Sequence, residues 1–109
     1  MKDFKKMRVW QDTIELAFHV YDETENFPHR EIYGLVSQLR RCAVSIPSNI
    51  AEGSGRHTDI EKARFYDIAL SSSYELETQL VLAKKFGFTK AENQLLNEYL
   101  EKTQRGLGA

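Results

Sequence analysis

The sequence predicts an all-α protein built as an antiparallel up-down-up-down four-helix bundle. Apolar residues recur every three or four positions in four separate segments, the spacing of a helix with one buried face. Short stretches rich in Gly, Pro, Asn and Thr separate these segments, and short loops favour antiparallel neighbours. No segment alternates apolar and polar residues as a half-buried strand does.

The composition fits a single domain spanning residues 1–109, with 41% hydrophobic and 28% charged residues. The formal net charge of −1 provides no overall positive field, so nucleic-acid binding would need a local basic patch. No apolar run approaches the roughly 20 residues of a membrane span, and the N-terminus lacks the pattern of a signal peptide. We therefore expect a cytoplasmic protein with no membrane partner.

The first helix is predicted over residues 9–25. Its apolar residues form two adjoining rows that make a stripe wide enough to touch two neighbouring helices: Trp10, Ile14, Ala17 and Tyr21 in one row, Val9, Leu16 and Val20 in the other. Pro28 ends the pattern, because a proline restricts the residue before it to extended geometry.

The second helix is predicted over residues 30–53 and carries a core-facing stripe of Leu35, Leu39, Cys42, Ile46 and Ile50. Gly53 is expected to end it in the left-handed conformation. Pro47 lies inside the helix and removes one hydrogen bond. We expect a kink near Ala43 to Ile46 without a chain break, because the apolar stripe continues in register through Ile50.

A polar row borders that stripe on the second helix: Gln38, Arg41, Ser45, Asn49 and Glu52. We interpret it as a polar network between helices or subunits, in which Glu52 pairs with Arg64 and Arg41 reaches Glu75. Two alternatives are a face for a ligand or nucleic acid, and a merely solvated surface.

The third helix is predicted over residues 58–86, with Thr58 and Glu61 in the spacing of a capping box. Its apolar residues form two rows roughly 140° apart: Ala63, Tyr66, Leu70, Tyr74 and Val81, and Phe65, Ala69, Ser72, Leu76, Leu80 and Ala83. A helix in a lone bundle needs only one apolar side. The second side therefore suggests another subunit.

The fourth helix is predicted over residues 90–105, because Thr89 and Glu92 repeat the capping-box spacing. It carries a narrow apolar stripe of Leu95, Leu96, Tyr99 and Leu100.

Residue patterns typical of catalysis or metal binding are absent from the sequence, and we expect no catalytic residue, metal or cofactor. The Glu-x-x-His spacing of di-iron bundles is missing at all three histidines, His19, His29 and His57. Cys42, the single cysteine, lies on the apolar stripe and fits a buried thiol. The loop from Glu52 to Arg56 lacks the spacing of phosphate-binding loops, which favours a structural turn.

The central motifs resemble a known family. Glu31-x-Tyr33-Gly34-Leu35, Gln38-Leu39-Arg40-Arg41 and Asn49-Ile50-Ala51-Glu52-Gly53 are similar to the four-helix-bundle proteins encoded by intervening sequences in bacterial 23S rRNA genes. The resemblance implies a homopentamer without established enzymatic activity and with no catalytic residues to transfer. The family's recurring polar positions coincide with the polar row.

The chain is similar also to accessory proteins of diversity-generating retroelements, pentameric bundles that bind nucleic acid and a reverse transcriptase through a basic surface. Candidate nucleic-acid contacts by that similarity are Lys5, Lys6, Arg8, Arg40, Arg56 and Lys62. We therefore expect a non-enzymatic homo-oligomeric interaction module, with nucleic acid or a protein as candidate partner. The alternatives are a passive structural oligomer, and an enzyme or metal protein that uses the polar row as a pocket.

Overall fold

The computed structural model describes residues 3–89 and 91–109, and within these ranges it has four α-helices and no strand. The helices are α1 (Arg8–Thr24), α2 (Leu35–Ser54), α3 (Asp59–Lys85) and α4 (Gln94–Gly106). Short 3-10 helices precede α1 at Phe4–Lys6 and α2 at His29–Glu31. The predicted all-α class with four helices is confirmed for the described part of the chain.

The packing of the four helices is consistent with a bundle. α2 packs most extensively against α3, while α1 lies between α2 and α4, and α3 makes a smaller contact with α4. Across the described residues, α1 does not approach α3 and α2 does not approach α4. The molecule measures 44 × 25 × 20 Å, so its long axis matches the roughly 40 Å expected of a 27-residue helix.

The core contains apolar side chains from all four helices: Leu16, Val20, Leu39, Ile46, Ile50, Ala69, Leu76, Ala83, Leu96 and Leu100. Four of the five residues in the predicted apolar stripe of α2 are buried, and Leu35 packs against the core from its edge. A fully buried leucine or isoleucine contributes about 1.5–3 kcal/mol relative to an exposed one. This stripe is therefore a main source of the stability of α2.

The second helix starts at Leu35, five residues after the predicted start at residue 30. Residues 29–31 form the short 3-10 helix instead, and the backbone of Gly34 (φ −108°, ψ −115°) is not helical. The Glu31 carboxylate accepts a hydrogen bond from the Leu35 N–H at 3.2 Å. Glu31 thus satisfies a donor of the first turn from outside the helix. Further along, α2 continues through the buried Pro47 without a chain break.

Gly53 is a correction to the sequence prediction. It lies inside α2 and is buried, and only Gly87 and Gly108 have positive φ among the described residues. A Cβ atom at position 53 would lie 2.9 Å from a ring carbon of Tyr66 and 3.0 Å from the Cβ of Phe65. Glycine is needed here because α2 and α3 approach each other closely.

The predicted cap of the third helix is confirmed at Thr58, and the cap of the fourth is Asn93 instead of Thr89. The Thr58 hydroxyl accepts a hydrogen bond from the Glu61 N–H at 3.1 Å and donates one to the Glu61 carboxylate at 3.1 Å. The Asn93 side chain accepts from the Leu96 N–H at 3.1 Å, so α4 begins at Gln94. The predicted first residue, Lys90, lies outside the described residues.

Candidate functional site

Part of the polar row of α2 lies along the seam between α2 and α3, and Ser45 contacts α3 there. The hydroxyls of Ser45 and Ser72 are 3.2 Å apart. The Asn49 side chain donates to the carbonyl and the hydroxyl of Ser45, at 2.8 and 3.0 Å. Ser45 therefore links the middle of α2 to the middle of α3.

Gln38 joins the same seam through Gln79, a residue that the sequence analysis missed. The Gln79 amide donates to Gln38 Oε1 at 3.4 Å and to Glu75 Oε2 at 3.3 Å. Gln79 is buried, and the oxygen of its side-chain amide, Oε1, has no hydrogen-bond partner among the described residues. The signal in the sequence was a glutamine at core spacing between Leu76 and Ala83.

The two ion pairs expected of the polar row do not form within the chain. Glu52, in the last turn of α2, pairs at 3.6 Å with Arg56, which lies two residues beyond the end of the helix. Arg64 is exposed on the outer side of α3. Arg41 is exposed and makes no ion pair with Glu75 or any other described residue. The structure thus links Gln38 to Glu75 through Gln79, and Ser45 to Asn49 and Ser72. It leaves Arg41 and Arg64 outside these two groups.

Cys42 lies in the seam with only 6% of its surface exposed. Burial, followed by the hydrogen bond and the negative charge of Glu75, raises the pKa of the Cys42 thiol from 9.0 to about 12. The thiol is therefore protonated at neutral pH and is a poor nucleophile.

Five of the six candidate nucleic-acid residues lie at one end of the molecule. The Ser54 hydroxyl donates to the sulfur of Met7 at 3.3 Å, which places the N-terminal segment beside the end of α2. Lys5, Lys6 and Arg8 belong to that segment, Arg56 follows α2 directly, and Lys62 lies in the first turn of α3. The Arg56 guanidinium also lies 4.6 Å from the centre of the Phe65 ring.

Arg40, the sixth candidate, lies at the opposite end and binds the last turn of α1. Its guanidinium donates to the Thr24 hydroxyl at 2.9 Å, the Tyr21 carbonyl at 3.3 Å and the Glu25 carboxylate at 3.1 Å. It also lies 4.6 Å from the centre of the Tyr21 ring. Because cations and donors stabilise the C-terminal end of a helix, Arg40 acts as a cap for α1.

The outer side of α3 is a second candidate surface. Of the two predicted rows, the one containing Ala69, Leu76 and Ala83 faces the bundle. The outer side exposes six large apolar residues: Ile60, Ile68, Tyr74, Val81, Leu82 and Phe86. A groove of about 610 Å³ follows its first half, and its lining includes the seam residues Ser72 and Glu75. The groove and the seam are therefore continuous.

Neither a metal cluster nor a membrane-spanning helix appears in the described residues. No group of three or more His, Cys, Asp or Glu side chains in them is arranged to hold a metal ion. None of the described helices is both long enough and apolar enough to cross a bilayer.

Comparison with known proteins agrees with the residue patterns. A family model for the 23S rRNA-intervening sequence protein matches residues 5–109. A search of curated proteins gave no match. Because the family model covers nearly the whole chain, this protein belongs to the 23S rRNA-intervening sequence protein family.

Proposed function

We propose that this protein is a non-enzymatic, cytoplasmic interaction module that assembles with copies of itself through the outer side of α3. The observation that carries this proposal is the exposure of large apolar side chains along that helix, among them Ile60 at 84% and Val81 at 58%. Contiguous exposed apolar surface is characteristic of protein–protein contacts. The family resemblance supports five copies per assembly.

We infer that the bundle is antiparallel, with up-down-up-down order. The contact of Met7 with Ser54 brings the start of α1 to the end of α2, and that of Ser54 with Tyr66 does the same for the start of α3. At the other end, Arg40 contacts Thr24 and Gln38 contacts Gln79. These contacts support opposite directions for α2 and both of its neighbours, so that α1 and α3 run the same way.

A charge placed on the outer side of α3 tests the self-assembly. We expect Ile60→Glu and Val81→Glu to lower the assembly mass measured by light scattering, because an interface would have to desolvate the new carboxylate. Leu95→Glu is the matched control, since Leu95 is an equally apolar and half-exposed residue on α4. A monomeric wild-type chain, or variants that assemble like the wild type, would refute the proposal.

Arg41, an exposed member of the polar row, is a candidate for contact with a neighbouring copy. Its guanidinium has no ion-pair partner among the described residues, and it lies next to the seam. We infer that it binds a neighbouring copy, where arginine is a favoured interface residue. Arg41→Ala should then lower the assembly mass; an unchanged mass would assign Arg41 to solvent.

Nucleic acid is the second candidate partner, favoured by the five basic residues at one end of the molecule. Exposed lysines and arginines bind phosphates, and such binding weakens steeply as salt rises. We expect wild-type protein to retain single-stranded RNA on a filter at low salt, and Lys5→Glu/Lys6→Glu protein to retain less. Absence of binding at low salt would leave a passive oligomer.

Stoichiometric metal in purified protein would instead support the enzyme or metal-protein alternative.

A further inference from the structure

Met7 lies where the N-terminal segment, residues 3–8, meets the end of α2 and the first turns of α3. Its sulfur is 3.3 Å from the hydroxyl of the buried Ser54, which shares its proton between Met7 and the Ile50 carbonyl at 3.0 Å. The same hydroxyl lies 3.2 Å from that of Tyr66 on α3. Because a thioether sulfur is a weak acceptor, this contact holds the segment without binding it strongly.

The remaining contacts of the segment point to α1. The ring of Phe4 packs edge-on against that of Trp10, with 5.4 Å between the ring centres. The Gln11 side chain donates to the Lys5 carbonyl at 2.9 Å. Of the hydrogen bonds between described residues, only that of Ser54 to Met7 joins the segment to α2 or α3. The attachment of the segment to α2 therefore depends on one thioether.

The Met7 thioether is within reach of small molecules in solution. Met7 is half-buried and lines an open surface cavity of about 550 Å³. Cys42, the other sulfur-containing side chain of the described residues, is buried, and its raised pKa keeps the thiol protonated and slow to react. An oxidant in solution therefore meets Met7 before Cys42.

We propose that Met7 is a redox-sensitive latch: hydrogen peroxide oxidises its thioether to the sulfoxide, and the N-terminal segment then detaches from α2. The sulfur attacks one peroxide oxygen, so that an S–O bond forms and the O–O bond breaks. The sulfur loses two electrons, and the leaving hydroxide takes the proton of the transferred oxygen to become water. Enzymes that reduce methionine sulfoxide reverse the change.

Oxidation alters both interactions that hold Met7 in place. The side chain packs against the hydrophobic core, and a sulfoxide is polar where the thioether is apolar. An oxygen added on the side of Ser54 has no room there. The 3.3 Å between the sulfur and the Ser54 hydroxyl barely exceeds the roughly 2.7 Å that an O–H···O hydrogen bond itself requires. The oxidised side chain must therefore move away from Ser54.

Peroxide treatment of the whole chain tests the latch, with mass spectrometry to locate the added oxygen. We expect the oxidised protein to melt about 5 °C lower, the shift that a modest loss of stability produces in a domain of this size. Trypsin should cleave it several times faster after Lys6, because the detached segment is accessible to the protease. Cleavage after Lys85, at the end of α3, is the internal control and should not change.

Met7→Leu is the matched control variant, because leucine fills a similar volume and has no sulfur. Peroxide should leave its melting temperature and its cleavage after Lys6 unchanged. Met7→Gln places a polar amide where the sulfoxide would lie, and this variant should be cleaved faster after Lys6 without any peroxide.

Four results would each overturn the latch. Unoxidised Met7 in a sample whose added free methionine is oxidised would show that the thioether is out of reach. Oxidised Met7 with unchanged cleavage after Lys6 would show that the sulfur does not hold the segment. The same peroxide effect in Met7→Leu would assign it to another residue. Failure of a methionine sulfoxide reductase to restore the original cleavage rate would make the change damage and not a switch. None of these readouts depends on self-assembly or on RNA binding.

Discussion

The absence of a side chain at Gly53 allows α2 and α3 to pack closely. Gly53 lies where α3 presents Phe65 and Tyr66, and no room remains for a methyl group. Gly106 has the same role between α4 and α1, where a Cβ atom would lie 2.8 Å from Val9. Both glycines are helical, so their importance comes from packing and not from backbone conformation.

We predict that Gly53→Ala lowers the free energy of unfolding by about 1–3 kcal/mol, the usual effect of overpacking a close contact. Urea denaturation measures the change. Gly55→Ala is the control, because a Cβ atom there would meet only the Glu52 carbonyl at 3.6 Å, an ordinary contact. Equal stability of the two variants would show that α2 and α3 separate at little cost.

Cys42 gives a pH-dependent prediction. Because the folded pKa of about 12 exceeds the unfolded value near 9.0, the protonated thiol stabilises the folded state below pH 9. This contribution is lost as the pH rises from 9 towards 12. We expect the difference in unfolding free energy between wild type and Cys42→Ala to shrink over that range. A constant difference would show that the thiol titrates normally.

At the residue scale the sequence predicted roles that depend on periodicity and missed those that depend on a distant partner. The burial of Leu39, Ile46 and Ile50 follows from their spacing along α2. A glycine near the end of a helix has the same local pattern whether it caps that helix or admits a neighbour. The role of Gly53 therefore required knowledge of where Phe65 and Tyr66 lie.

The ends of individual helices are stabilised by side chains from other parts of the sequence. The last turn of α1 is bound by Arg40, which lies sixteen residues after Thr24 in sequence. The apolar period predicted that helices exist and which faces they bury. It could not place the start of α2 or of α4, because Glu31 and Asn93 act through hydrogen bonds that leave no periodic signal.

We predict that Arg40→Lys lowers the free energy of unfolding by about 1–2 kcal/mol. Lysine keeps the charge but loses the planar group that donates to Thr24, Tyr21 and Glu25 together. Thermal unfolding of the dilute protein measures the change. Arg41→Lys is the control at the next residue, and an equal effect there would argue against the cap.

The molecule as a whole exposes apolar surface on more than one side, on both α1 and α3. Phe18 on α1 and Ile60 on α3 are each more than half exposed. Four-helix architecture accounts for the buried rows but not for these residues. The second predicted row of α3 contributes only Tyr74 and Val81 to the large exposed apolar residues, because Tyr66 of that row packs against the core. The other four, Ile60, Ile68, Leu82 and Phe86, were in neither predicted row. The sequence also could not identify the seam partner Gln79, which required the register between α2 and α3.

We predict that the melting temperature rises with protein concentration, because the proposed self-assembly would stabilise the folded chain by mass action. Differential scanning calorimetry over a hundredfold range of concentration measures the rise. Ile60→Glu protein should melt at a temperature that is independent of concentration. A flat wild-type curve would mean that assembly and folding are not coupled.

The contact between α1 and α4 has a consequence for how the chain matures on the ribosome. Asn93 at the start of α4 binds Glu23 near the end of α1, across seventy residues of sequence. The surface of α1 that packs against α4 can therefore be buried only after the fourth helix has been synthesised and has left the exit tunnel. Until then the apolar side chains that α1 packs against α4 stay exposed to solvent, and exposed apolar surface of this kind favours aggregation.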